Sequence, residues 1–114
     1  MRAIPEKLKI ELGRNPWYSR CCLTGWTRGM AKIEWHHNFE YAGRQVNEEW
    51  CILPLRKDIH DEEKRPDIQE KLQWIMLSRA PEIAIRQYGL EEARRKAIKK
   101  FGKYDPYGRY WRGF

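Results

Sequence analysis

Residues 31–60 read AKIEWHHNFEYAGRQVNEEWCILPLRKDIH, and this stretch holds all three histidines of the chain, as the pair His36-His37 and then His60. Imidazole titrates near neutrality and is the commonest metal-binding side chain, so three in one segment point to a metal or acid/base site. Ahead of the pair, Ala31, Ile33 and Trp35 alternate with Lys32, Glu34 and His36, the period of a half-buried strand. The first set faces a core, and Glu34 and His36 share the other face. Residues 38–49 read as a polar loop around Ala42-Gly43-Arg44. Trp50-Cys51-Ile52-Leu53 is a short apolar segment stopped by Pro54, and a helix is expected from Leu55 to about Lys64, with His60 in its middle.

Upstream, apolar Ile4, Leu8 and Leu12 predict a short helix with Pro5 in its first turn and Gly13 ending it. A strand is expected over residues 18–23, followed by a Thr24-Gly25 turn. Residues 18–64 therefore read as strand, strand, long loop, helix. Downstream, Ile68, Leu72, Ile75 and Met76 follow Pro66 at helical spacing, and a second helix starts at Pro81 and stops at Gly89. Leu90, Ala93, Ala97, Ile98 and Phe101 form a third apolar stripe ended by Gly102. The organisation is α+β: one domain over residues 1–102, and a flexible basic and aromatic tail over 103–114.

A mass of 13.9 kDa suits one compact domain, and six Trp, six Tyr and three Phe suffice for a small core. Mean hydropathy of -0.90 and 34% charged residues wrap that core in a polar surface. No apolar run approaches the ~20 residues of a membrane span, and the N-terminus lacks the apolar stretch of a secretory signal, so a cytosolic protein is expected. A formal charge of +7 favours a polyanionic partner, and it is concentrated from Glu91 onward, where eight Lys/Arg meet three acids. Three cysteines, Cys21, Cys22 and Cys51, do not suggest a disulfide framework. Zinc knuckles are degenerate too, with Thr24 where a second thiolate would sit and no cysteine from Leu55 to His60. The cysteines read as small buried thiols.

The series Cys21-x-x-Thr24-Gly25, Glu34-Trp35-His36-His37, Ala42-Gly43-Arg44-Gln45-Val46-Asn47, Ile52-Leu53-Pro54-Leu55 and His60 resembles the HNH (ββα-metal, His-Me finger) endonucleases, in particular their small phage-type members. The resemblance covers roughly residues 18–64. It implies a ββα-metal finger, a short β-hairpin plus helix clasping one divalent ion, embedded among several α-helices. It further implies His36 and His60 as metal ligands, His37 as the general base that activates water, and Asn47 as the loop residue that orients that base. Mg²⁺ or Mn²⁺ is the expected ion, with Zn²⁺ or Ni²⁺ also suited to imidazole. The implied substrate is DNA, and a phage-encoded protein would act in the cytoplasm of a bacterial host, in DNA processing or recombination.

The pattern is incomplete. Many members carry a further ligand one turn after the last histidine, where this chain has Lys64; Asp61, Glu62, Glu63 or water remains to fill that place. Without a knuckle, the flanking helices are expected to brace the hairpin. These departures also fit a non-catalytic DNA-binding or accessory protein on a degenerate HNH scaffold. Arg44, in the loop, reads either as a phosphate contact or as a solvated surface residue. In the tail, Lys103, Arg109 and Arg112 alternate with aromatic rings. Such a segment either tracks a nucleic-acid backbone or packs its rings on the helices.

Overall fold

A computed structural model describes residues 4–104. Its architecture is mixed helix and strand, with two small antiparallel sheets. β1 (Ile33–His37) pairs with β4 (Ile52–Arg56), and a hairpin of β2 (Glu40–Tyr41) and β3 (Arg44–Gln45) interrupts the intervening segment. Five helices complete the fold: α1 (Glu6–Gly13), α2 (Lys57–His60), α3 (Pro66–Arg79), α4 (Glu82–Gln87) and α5 (Glu91–Phe101).

The expected strand at 31–36 is present as β1, but its partner is not residues 18–23. That segment instead forms a 3₁₀ turn, Pro16–Ser19, capped by the Asn15 side chain on the Trp17 N–H, and then a single bridge from Arg20 to Thr27. The partner is β4, which runs through Pro54 where the sequence reading placed a stop. Pro54 lies opposite Trp35, and its carbonyl accepts a 2.8 Å hydrogen bond from the Cys22 N–H, on the side away from β1. In an antiparallel strand the N–H and C=O of one residue point the same way, so the donor that proline lacks is not needed by β1. The helix expected from residue 55 accordingly begins only at Lys57 and lasts one turn, followed by turns to Lys64.

β4 is buried on both faces; Ile52, Leu53 and Leu55 are fully inaccessible. One side meets α3, whose Leu72, Ile75, Met76 and Leu77 are equally buried, and the other meets the turn at Cys21–Trp26. That turn is closed by hydrogen bonds and ring stacking. The Cys21 N–H bonds the Trp26 carbonyl at 2.9 Å, the Thr24 hydroxyl accepts from the Trp26 N–H at 3.2 Å, and the Arg56 guanidinium stacks on the Trp26 ring at 4.0 Å. The hairpin is therefore braced by α3 and by this turn, rather than by helices alone. All three cysteines are buried and free, and burial pushes the Cys51 thiol up to about 12.

α3 follows the sequence expectation, with Pro66 at its first position, Asp67 in the first turn and Arg79 in the last. α5 packs across it, its end fixed by a 2.8 Å hydrogen bond from the Trp74 indole to the Gly102 carbonyl. Tyr104, assigned from sequence to a flexible tail, is only 5% exposed. Its ring sits edge-on to Trp74 and its hydroxyl bonds the Cys22 carbonyl at 3.3 Å. At Tyr104, then, the aromatic side chain packs on the helices.

The C-terminal end of α3 is tied to the N-terminal half through Arg79. Its guanidinium lies 3.6 Å over the Trp17 ring and donates to the Tyr18 hydroxyl at 3.0 Å, while that hydroxyl donates to the Glu49 carbonyl at 2.5 Å. Burial pushes the Tyr18 phenol up to about 12 against the opposing pull of Arg79. Tyr18→Phe removes an acceptor from a largely buried cation and a donor from Glu49. It is expected to cost about 1–3 kcal/mol. An unchanged urea midpoint in the purified variant would show that this junction contributes nothing.

Candidate metal centre

β1 supplies Glu34 and His36 on one face, as period-two alternation requires, and α2 delivers His60 beside them. The turn after α2 adds Glu63, whose N–H bonds the His60 carbonyl at 3.1 Å. The two imidazole rings lie 5.0 Å apart, and the Glu63 carboxylate faces both: its Oε2 is 2.8 Å from His36 Nδ1 and 3.2 Å from His60 Nε2.

The far nitrogen of each ring is already engaged. His36 Nε2 is 3.2 Å from the Asn38 side-chain oxygen, and His60 Nδ1 is 3.1 Å from Glu34 Oε1. A carboxamide oxygen and a carboxylate oxygen only accept, so both nitrogens carry hydrogen. In the neutral rings the lone pairs are then on His36 Nδ1 and His60 Nε2, the two atoms that face Glu63. The contact between His36 Nδ1 and Glu63 Oε2 is short enough for an ion pair, yet both atoms are buried and neither makes a hydrogen bond. Such a convergence of lone pairs is relieved by positive charge, from a proton on an imidazole or from a metal ion among the three groups.

These donor atoms all lie within 4.8 Å of one another, so His36, His60 and Glu63 can hold a metal ion. Asn38 and Glu34 are the outer hydrogen-bond partners that orient metal-binding histidines. Burial, opposed by the nearby Glu63 carboxylate, holds His36 below the ordinary imidazole range. That ring thus stays neutral and ligand-competent to a lower pH. By the same shift its contribution to stability is present above the unfolded value of ~6.5 and is lost as pH falls through the folded one.

His37 follows His36 on the opposite face of β1. Its Nε2 is 2.8 Å from the Asn47 side-chain oxygen, which again assigns the hydrogen to Nε2 and leaves Nδ1 as the basic nitrogen. A cleft of about 320 Å³ is lined by His36, His37, Asn38, Glu63 and Lys64 among others. A second, of about 420 Å³, is lined by Glu34, Lys57, His60, Asp61, Glu63 and Lys64. Glu63 and Lys64 line both clefts.

Of the residues singled out from sequence, His36, His37, Asn47 and His60 are brought into this arrangement. Of the carboxylates open for a third ligand, half-buried Glu63 is the one grouped with His36 and His60, while Asp61 is engaged by Lys57 and Glu62 by Arg65. Arg44 is exposed in β3 and Lys103 is exposed beyond α5; neither lines either of these two clefts. Arg109 and Arg112 lie outside the described residues. Glu34 and Asn38 were not recognised as site residues, although strand alternation had placed Glu34 beside His36.

Titration calorimetry with Mn²⁺ or Zn²⁺ is expected to give one ion per chain, lost in His60→Ala. Glu34→Gln, which keeps the side-chain shape, is expected to weaken binding roughly 10–100-fold through the misoriented His60 ring. Equal affinity in Glu34→Gln would remove Glu34 from the site. No protein-family model, no curated protein and no solved structure matches this chain.

Proposed function

We propose that the protein is a metal-dependent endonuclease of the ββα-metal type that hydrolyses DNA phosphodiester bonds. The observation that carries this reading is the division of labour between adjacent histidines: His36 faces Glu63 and His60, while His37, held by Asn47 through Nε2, lines the same cleft. Two imidazoles and one carboxylate also serve other hydrolytic and redox centres. An oriented third imidazole at the rim of the cleft favours hydrolysis, because it supplies a base whose unperturbed pKa is near the working pH.

The order of elements supports the same reading. β1 and β4 form a short antiparallel pair, and α2 follows directly, so the strand pair and the helix contribute one histidine ligand each. In the proposed reaction His37 Nδ1 takes a proton from water as its oxygen attacks phosphorus, and the bond to the departing 3′ oxygen breaks. Asn47 holds the ring so that the accepting nitrogen keeps its direction, and it leaves the other nitrogen protonated throughout. His36, His60 and Glu63 would hold a divalent ion, Mg²⁺ or Mn²⁺, whose chemistry is to stabilise charge on the phosphoryl and leaving oxygens. The net charge of +7 supplies sequence-independent affinity for a polyanion.

Nicking of supercoiled plasmid by the purified protein with Mn²⁺ or Mg²⁺ tests the proposal. His37→Ala is expected to lose on the order of a hundredfold or more in rate while keeping its metal affinity. Cleavage that survives in His37→Ala would reject the assigned base. A wild-type protein that binds DNA but cleaves neither duplex nor single strands would identify a non-catalytic DNA-binding protein instead.

A further inference from the structure

Lys64 lines both clefts and is next in sequence to the metal-site residue Glu63. The other cations of this segment are committed to carboxylates. Arg56 pairs with Asp58, Lys57 with Asp61 at 3.0 Å, and Arg65 with both Glu62 and Asp67 at 3.0 Å. Among the described residues no carboxylate lies within ion-pair distance of Lys64. Lys64 is exposed and lines both clefts that Glu63 also lines.

The charges around it give that freedom a consequence. The cleft on the His37 side carries Glu40 and Glu63 against Lys64, and the cleft on the His60 side carries Glu34, Asp61 and Glu63 against Lys57 and Lys64. A phosphate entering either one meets an excess of carboxylate. Attraction is available from an ion held by His36, His60 and Glu63, and from the one lysine not neutralised by a neighbour. Lysine is suited to this as a compact point charge on a flexible stem, able to follow a phosphoryl oxygen as charge builds on it.

We infer that Lys64 is a phosphate-binding residue: its ammonium contacts a non-bridging oxygen of the phosphodiester lying across the two clefts, beside the metal group. The inference rests on the nuclease reading for its substrate. It makes the position a substrate contact rather than a missing metal ligand, and it sets a path for the strand, from the His37 cleft past Glu63 into the cleft lined by Lys57 and Asp61.

Binding and turnover separate this inference from the reading beneath it. Anisotropy of a fluorescent duplex DNA is followed across a salt series with Mn²⁺, in a His37→Ala background so that cleavage does not intervene. Adding Lys64→Met is expected to lower the slope of log affinity against log salt by about one, and Lys64→Arg to restore it. In the His37-containing protein, Lys64→Met is expected to reduce kcat/KM for plasmid nicking on the order of a hundredfold, with Mn²⁺ affinity by calorimetry retained. An unchanged salt slope overturns the assignment even if the wild type cleaves. Loss of Mn²⁺ affinity in Lys64→Met also overturns it, since the residue would then act through the metal group. A reduced slope in a protein that never cleaves leaves the phosphate contact standing and removes the nuclease reading.

Discussion

The pairing of β1 with β4 is the constraint on which the rest depends. β4 is buried on both faces and carries Pro54 at a position where no donor is required toward β1, so it pairs along its length with β1 despite the proline. β1 lies outside it, with one face against the core and the other open. Trp35 is held from below by its indole bond to the Tyr18 carbonyl at 3.0 Å, which sets the roll of the strand. Given that roll, Glu34 and His36 point together toward α2, and His37 leaves the strand on the other side, where Asn47 holds it at the cleft that His36 also lines.

What the pairing builds is a cluster that calls for positive charge. Two imidazoles, each with one ring nitrogen beside Asn38 or Glu34, turn the other nitrogen on one carboxylate oxygen. At His36 that nitrogen is buried, and either a proton or a metal ion can supply the charge. Lys64 is not one of the three clustered donors, but it lines both clefts that Glu63 lines.

Several readings of the chain survive in the fold because they rest on local periodicity. The alternation from Ala31 to His36 is β1, and the apolar spacing from Ile68 to Met76 is α3. Others failed where long-range pairing overrode local signals. Residues 18–23 have strand-like composition but lie beside β4 through the Cys22 contact, as a turn. Pro54 has the look of a terminator and is a strand interior. Between β1 and β4 the polar loop contains a hairpin of its own, turning at Ala42 and Gly43, both with positive φ; Gly43 takes that conformation freely, and Ala42 is the unusual member.

The sequence by itself determined the α+β composition, the adjacency of His36 and His37, and their placement at the end of a strand, because strand alternation and helical spacing are properties of neighbouring residues. Only the tertiary structure decided that Glu63, among three adjacent carboxylates, turns inward. Asp61 and Glu62 are drawn outward by Lys57 and Arg65, and no local pattern distinguishes the three. It also decided that Glu34 and Asn38 hold the rings and that Lys64 is left without an acid among the described residues. Those outcomes depend on which strand packs beside which and on competition between side chains distant along the chain, and that information does not exist until the chain is folded.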